Sequence, residues 1–211
     1  MTMAAVAELG RLAQMQWGLV TTRQAADAGV SRLQLSRMAA AGVLERIAQG
    51  VYRMTGAPAQ EHEEILAAWL SVSDSGRTGE ASPVIVAGAA AARLHGLGDL
   101  WVDAVDLVCE RRRTSRNPRV RMRTLALPAA DVTRVEGVPV MTPMRTLADL
   151  VEQWVDLSLV ADALRDADAR GVADLRELAQ HLAPLSTRDG LPSGEAFAEQ
   201  LALDAGLGVP A

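Results

Sequence analysis

Apolar residues recur every three or four positions along much of the chain, a spacing that predicts amphipathic helices. Near the N-terminus this spacing predicts a helix over residues 3–16 and two shorter helices over residues 23–28 and 32–42. Residues 44–47 and 51–53 instead alternate between apolar and polar side chains, which predicts the two strands of a β-hairpin. The predicted order is helix, helix, turn, helix and hairpin.

Capping residues support this order. Thr22 and Ser31 precede the second and third helices, and a hydroxyl side chain stabilises a helix start by accepting a backbone N–H. Gly29 follows the second helix and is placed to adopt a positive φ, which glycine does without steric cost. Together these elements predict a winged helix-turn-helix, a DNA-binding motif.

A domain boundary is predicted between residues 57 and 58. Gly56 and Pro58 interrupt the periodicity there, and the net charge changes sign just beyond them. The patterns that follow predict a helix at 60–72, a strand at 83–86, a helix ending at His95, and strands at 102–108, 120–127, 132–135 and 138–141.

Helices are predicted again from residue 142, where Thr142 is a suitable cap and Pro143 is tolerated in the first turn. The apolar stripe of this helix is predicted to comprise Leu147, Leu150, Val151 and Trp154. Further helices are predicted at 158–169, 174–182 and 193–205. The predicted class is α+β: a winged helix-turn-helix domain over residues 1–57, then a domain over 58–211 with a small mixed β-sheet to about residue 141 and a C-terminal helical layer.

Charge is distributed unevenly. The formal net charge is −5, but it is +3 over residues 1–57, −7 over 58–110, +7 over 111–145 and −8 over 146–211. Because the whole molecule is acidic, attraction to nucleic acid must come from the two basic segments.

Several functional classes lack their signatures. Cys109 is the single cysteine, which excludes an internal disulfide and a multi-cysteine zinc site. No histidine pair has metal-site spacing, and no phosphate loop, nucleophile elbow or dinucleotide fingerprint occurs, so we expect no metal, no cofactor and no enzyme activity. The start MTMAAVAELGRL carries no targeting signal and no apolar run is long enough to span a membrane, so we expect a cytoplasmic protein without membrane contact.

The third helix is the predicted recognition element. With Leu35 in the core, it turns a small polar surface outward, on which arginine and glutamine can bond base edges and Leu33 can contact a thymine methyl. The hairpin adds groups suited to phosphates or the minor groove. The predicted DNA-contact residues are Arg32, Leu33, Gln34, Ser36, Arg37, Arg46, Gln49 and Arg53. The alternative for each arginine is a solvated surface.

Four short segments of the first domain resemble the N-terminal winged helix-turn-helix of the AbiEi antitoxin family: Gly18-Leu19-Val20-Thr21, Gly29-Val30-Ser31-Arg32, Gly42-Val43-Leu44-Glu45-Arg46 and Gly50-Val51-Tyr52-Arg53. Two later segments, residues 89–97 and 138–150, resemble signature segments of the domain that follows in such proteins.

The resemblance implies an antitoxin of a type IV toxin–antitoxin system that is also a transcriptional repressor. Its expected partners are operator DNA, as an inverted repeat in its own promoter, and a cognate nucleotidyltransferase toxin, countered functionally or by direct contact. The chain ends at Ala211 without the nuclease-like extension of some relatives, so we expect no enzyme. The alternatives are a toxin-binding module without significant DNA binding, or a plain transcription factor.

Arginine is concentrated between residues 111 and 123, where it occupies seven of thirteen positions: Arg111, Arg112, Arg113, Arg116, Arg119, Arg121 and Arg123. No neighbouring acid in the sequence balances them, so their repulsion favours an anionic partner. We expect the first four to contact DNA phosphates, with a solvated surface and toxin contact as alternatives. Strand alternation places Arg121 and Arg123 on one sheet face.

The acids of the helical layer are expected on exposed faces, either solvated or turned to a basic protein: Asp149, Glu152, Asp156, Asp162, Asp166 and Asp168. Arg145 and Asp149 are four residues apart on one helix, which predicts an ion pair. His95, at a helix end before Gly96, is expected to be a capping or packing residue.

Overall fold

The structure is a computed structural model that describes residues 3–73 and 84–208. These residues form two compact units, one of residues 3–73 with 115–117 and the other of residues 84–114 with 118–208. Both helices and two β-sheets are present, which confirms the predicted α+β class.

The first unit contains four helices and three strands. In chain order these are α1 (Met3–Gln14), β1 (Leu19–Thr21), α2 (Thr22–Asp27), α3 (Arg32–Ala40), β2 (Leu44–Ala48), β3 (Val51–Met54) and α4 (Glu63–Val72). The strands form an antiparallel sheet in the order β1-β3-β2. Helix α4 packs on this sheet, so the first unit extends past residue 57, where the sequence placed the boundary.

Helix caps in this unit follow the sequence closely, with one correction. Ser31 caps α3 as predicted, and Gly29 has a φ of 78°. The cap of α2 is Thr21 rather than Thr22: the Thr21 hydroxyl accepts the Gln24 N–H at 3.1 Å. Thr22 already lies inside the helix, and its N–H donates to the Gly50 carbonyl at 2.8 Å.

The core of the first unit joins the helices to the sheet. Its buried apolar residues come from α1, β1, α2, α3 and β2 and the turns between them: Leu9, Ala13, Val20, Ala25, Val30, Leu35, Met38 and Leu44. Trp17 and Trp69 meet edge to face, with ring centroids 6.5 Å apart. This burial fixes the orientation of α3, because Leu35 and Met38 can point only inward.

The second unit has a five-stranded sheet and five helices among its described residues. In chain order they are β4 (Ile85–Val86), α5 (Gly88–His95), β5 (Val105–Cys109), β6 (Val120–Thr124), β7 (Val132–Val135), β8 (Val138–Met141), α6 (Pro143–Glu152), α7 (Leu157–Ala169), α8 (Leu175–Leu182) and α9 (Gly194–Asp204). The strand order is β6-β5-β4-β8-β7, with β4-β8 and β5-β6 parallel and the other pairs antiparallel. The predicted mixed sheet is confirmed, although Pro83 of the predicted strand lies outside the described residues.

Helices α6 to α9 form a layer with its own apolar core. Leu147, Leu164, Leu178 and Phe197 are fully buried there. Helices α8 and α9 approach so closely that a β-carbon at Gly194 would lie 2.1 Å from the Ala179 carbonyl oxygen. Close packing of this kind excludes any larger residue at that position.

Trp154 departs from the sequence prediction. It was expected in the apolar stripe of the helix that begins at Pro143, but α6 ends at Glu152. Trp154 follows with a φ of 62°, and 71% of its surface is exposed. The reversal of the chain after α6 turns its ring away from the core.

Candidate nucleic-acid interface

Helix α3 presents one apolar face and one polar face. Leu35 and Met38 are buried in the first unit, whereas Arg32, Ser36 and Arg37 are exposed. Leu33 lies among these polar residues and is 61% exposed. The predicted orientation of α3 is confirmed, and its outward face combines guanidinium, hydroxyl and isobutyl groups, which suit base edges and thymine methyls.

Gln34 has a structural role in addition to its position on α3. Its side-chain oxygen accepts the Ser31 N–H at 2.8 Å, while the Ser31 hydroxyl accepts the Gln34 N–H at 3.3 Å. This capping box occupies one lone pair of the Gln34 amide oxygen and leaves its NH₂ group available to donate to a base. A serine followed three positions later by a glutamine is the sequence signature of a capping box. This signature predicts the structural role of Gln34, which the sequence analysis assigned to DNA contact alone.

The β2-β3 hairpin places two of its predicted residues in solvent. Arg46 and Gln49 are exposed, and a register shift lies between Arg46 and Ala48. Gly50 has a φ of 78°, and its carbonyl accepts both the N–H and the hydroxyl of Thr22. The hairpin tip is thereby tied to the start of α2.

Arg53 is engaged inside the first unit rather than exposed. Its guanidinium donates to the Glu63 carboxylate of α4 at 2.8 Å and to the Glu45 carboxylate of β2. The hydrogen bonds that Arg53 donates to the Glu45 and Glu63 carboxylates raise its pKa. Only 15% of the side chain is exposed. The side chain that was expected to reach DNA therefore links the hairpin to α4.

Replacing Arg53 with alanine is expected to destabilise the first unit by about 1–3 kcal/mol, because Glu63 loses its partner in a site where 14% of its side chain is exposed. Urea unfolding measures this change. Glu45→Ala is the control, with an expected cost below about 1 kcal/mol because the Glu45 side chain is 60% exposed. Equal stability of Arg53→Ala and the unmodified chain would contradict the structural role.

The arginine cluster between β5 and β6 divides into two groups. Arg111, Arg112, Arg116 and Arg119 are exposed, and Arg113 is half-buried. Arg121 and Arg123 lie on β6 and pair with acids of the same unit. The first group forms a basic loop surface, whereas the second group is part of the fold.

The pairs made by β6 correct the expectation that no acid balances the arginines. Arg121 donates to Asp106 of β5, which is 3% exposed. Arg123 donates to Asp149 of α6 at 2.6 and 3.0 Å, and Asp149 is completely buried. Asp149 also accepts the Gly88 N–H at 3.0 Å. The acids come from other elements of the unit, which a local reading of the sequence does not detect.

Asp149 therefore does not lie on an exposed face and does not pair with Arg145, and both expectations were wrong. Arg145 instead donates to Glu152 at 3.3 Å and lies 4.0 Å from Asp131. Asp166 is half-buried and accepts the Gly98 N–H at 2.8 Å. The other predicted surface acids are exposed, namely Glu152, Asp156, Asp162 and Asp168.

The remaining reactive side chains have packing roles. His95 is half-buried and donates from Nε2 to the Met141 carbonyl at 2.7 Å, as expected for a packing residue. Burial lowers the pKa of His95 and raises that of the buried Cys109 thiol. In the part of the chain that the structure describes, no group of three or more His, Cys, Asp or Glu side chains is arranged to hold a metal ion.

No helix in the described stretches is long and apolar enough to cross a membrane.

Comparison with known proteins finds a family similarity within the first unit. Residues 8–55 match the family model described as a transcriptional regulator, AbiEi antitoxin, which confirms the resemblance over that segment. The crystal structure of the RV2827C protein from Mycobacterium tuberculosis is similar, with a TM-score of 0.56 and 18% identity, over 96% of this chain and 78% of that chain. At this identity the likeness concerns the fold alone. No curated protein matches the sequence significantly.

Proposed function

We propose that this chain is an antitoxin that also represses transcription of its own operon. In this proposal α2, α3 and the β2-β3 hairpin are the winged helix-turn-helix, and α3 enters the major groove of the operator. The main support for DNA binding is the outward face of α3, where Arg32, Ser36 and Arg37 are exposed. Leu33 is exposed beside them, whereas Leu35 is buried on the opposite face. The family matched by residues 8–55 supports the same role.

The hairpin supplies the neighbouring contacts. Arg46 and Gln49 are exposed and suited to phosphates or the minor groove. The first 57 residues carry a net charge of only +3, so one motif has modest affinity and we expect paired binding to an inverted repeat. Arg53 is not among the proposed DNA contacts, because its guanidinium forms ion pairs with Glu45 and Glu63.

The arginines of the loop between β5 and β6 extend the proposed DNA footprint. Arg111, Arg112 and Arg116 are exposed, and Arg113 lies next to them. Phosphate contacts by such side chains add affinity without sequence preference. Replacing all four should therefore weaken binding to operator and to unrelated DNA by similar factors.

In this proposal the second unit counters a nucleotidyltransferase toxin encoded in the same operon. This role comes from the antitoxin description of the matched family. We expect it to be non-enzymatic and to act in the cytoplasm, where operator and toxin are both present.

The test combines two readouts of the purified chain and its operon. Fluorescence anisotropy with a duplex from the chain's own upstream region should show tighter binding than an unrelated duplex at 150 mM salt, by a factor on the order of 10³ or more. Co-expression should relieve growth arrest by the neighbouring nucleotidyltransferase. Equal affinity for both duplexes would contradict the repressor role, and persistent arrest would contradict the antitoxin role.

A further inference from the structure

Trp154 occupies a backbone position that suits glycine. Its N–H donates to the Val151 carbonyl at 3.0 Å, and the next N–H, of Val155, donates to the Leu150 carbonyl at 3.1 Å. This is the Schellman arrangement at the end of α6, where a β-carbon crowds the backbone. Five other helices of the described chain are followed by glycines with positive φ: Gly29, Gly42, Gly96, Gly171 and Gly206.

Burial does not explain the tryptophan, because its side chain is mostly in solvent. The ring is 71% exposed, so it contributes little to the core of the second unit. A residue that is unfavourable for the backbone and mostly in solvent suggests a role in contact with another molecule.

Arg188 holds the ring in place. Its guanidinium lies 3.9 Å from the centre of the Trp154 ring and donates to the Val151 carbonyl at 2.8 Å. A further bond to Asp189 at 2.8 Å fixes the same group. This contact restricts the rotamers of the ring before any partner arrives, which lowers the entropy cost of binding.

The surroundings indicate the chemistry of the partner. Leu157, three residues further on, is 36% exposed, and Glu152 and Asp156, two residues before and after Trp154, are exposed acids. Residues 146–211 carry a net charge of −8, which repels phosphate groups and attracts a basic surface. Tryptophan and arginine are the residues that most often dominate protein–protein binding energy. The charge therefore favours a basic protein over a nucleic acid.

We propose that Trp154, with Leu157 and Arg188, is the anchor by which the second unit binds a basic protein partner directly. This inference rests on the proposed antitoxin function, under which that partner is the nucleotidyltransferase toxin of the operon. The ring fills an apolar pocket on the toxin, and the acids around it meet basic residues at the rim of that pocket.

The central variant is Trp154→Gly, which removes the ring and relieves the backbone. Because glycine suits this φ, the melting temperature should stay within about 4 °C of the unmodified chain or exceed it. Calorimetric titration of purified toxin into the full chain should show at least about a thirtyfold loss of affinity. Trp101→Ala is the matched control: Trp101 is 83% exposed in the same unit, and its removal should change affinity less than about threefold.

Asp156→Asn tests the charge of the surface. Asp156 caps α7 by accepting the Ser158 N–H at 2.8 Å, and asparagine caps a helix about equally well. The fold is therefore kept while one negative charge is removed. Association with the toxin should slow by about twofold or more at low salt, and the difference should shrink as salt screens it.

Three results would overturn this docking site. The first is toxin binding by Trp154→Gly as tight as that of the unmodified chain, and the second is an effect of Trp154→Gly confined to self-association or single-stranded DNA binding. The third is no toxin binding by the unmodified chain although co-expression still relieves growth arrest, which would leave the antitoxin function standing. Persistent arrest with the unmodified chain is a failure of the antitoxin function itself.

Discussion

Replacing Arg37 with alanine is expected to weaken binding to the operator by about tenfold to a hundredfold at 150 mM salt. Arg37 is exposed on the outward face of α3, and within residues 3–73 and 84–208 its guanidinium has no ion-pair partner. Its removal should therefore leave the fold unchanged while a contact to a base or phosphate is lost. Fluorescence anisotropy over a range of salt concentrations distinguishes a base contact from a phosphate contact. Loss of a phosphate contact also lowers the slope of log affinity against log salt concentration by about one.

Arg11→Ala is the matched control for this experiment. Arg11 lies on α1 of the same unit, its side chain is 59% exposed, and it pairs with Glu8 on the same helix. The variant removes the same charge from a different face, so operator affinity should fall less than about threefold. An equal loss in the two variants would show that net charge, not α3, determines binding.

Replacing Asp149 with alanine is expected to destabilise the second unit by about 3–5 kcal/mol. Asp149 is fully buried, and its carboxylate binds Arg123, the Gly88 N–H and the Gln153 amide. Without it, the Arg123 guanidinium and the Gly88 N–H lose their partner in a site with little access to water. Guanidinium unfolding followed by circular dichroism measures the change.

Asp162→Ala provides the comparison, since it also removes an aspartate that pairs with an arginine. Asp162 and Arg165 are each 51% exposed, so this pair should contribute less than about 0.5 kcal/mol. Similar losses in the two variants would contradict the assignment of Asp149 as a buried link between the sheet and α6.

Features that depend on neighbouring residues could be predicted from the sequence. Ser31 caps α3 because its hydroxyl needs only the N–H groups of the next turn. The β7-β8 hairpin turns at Glu136 and Gly137, which have φ values of 52° and 85° and form a two-residue turn. With Leu35 taken as a core residue, helical periodicity placed Leu33 and Arg37 on the outward face, and both are exposed.

Features that depend on distant residues could not be predicted in this way. Asp149 and Arg123 are 26 positions apart, and only the packing of α6 against the sheet brings them together. Arg53 and Glu63 meet because α4 packs on the first sheet, beyond the boundary that composition suggested. The charge pattern of the sequence therefore identified the basic segments, but not the acids that bind Arg53, Arg121 and Arg123.

Photocross-linking tests most directly whether the outward face of α3 meets the operator. A photoreactive amino acid is placed at position 36, on the exposed face of α3, or at position 203, where Leu203 of α9 is 59% exposed. We expect efficient cross-links from position 36 to bases of the chain's own upstream duplex, and none from position 203. Cross-links from position 203 with none from position 36 would contradict this expectation.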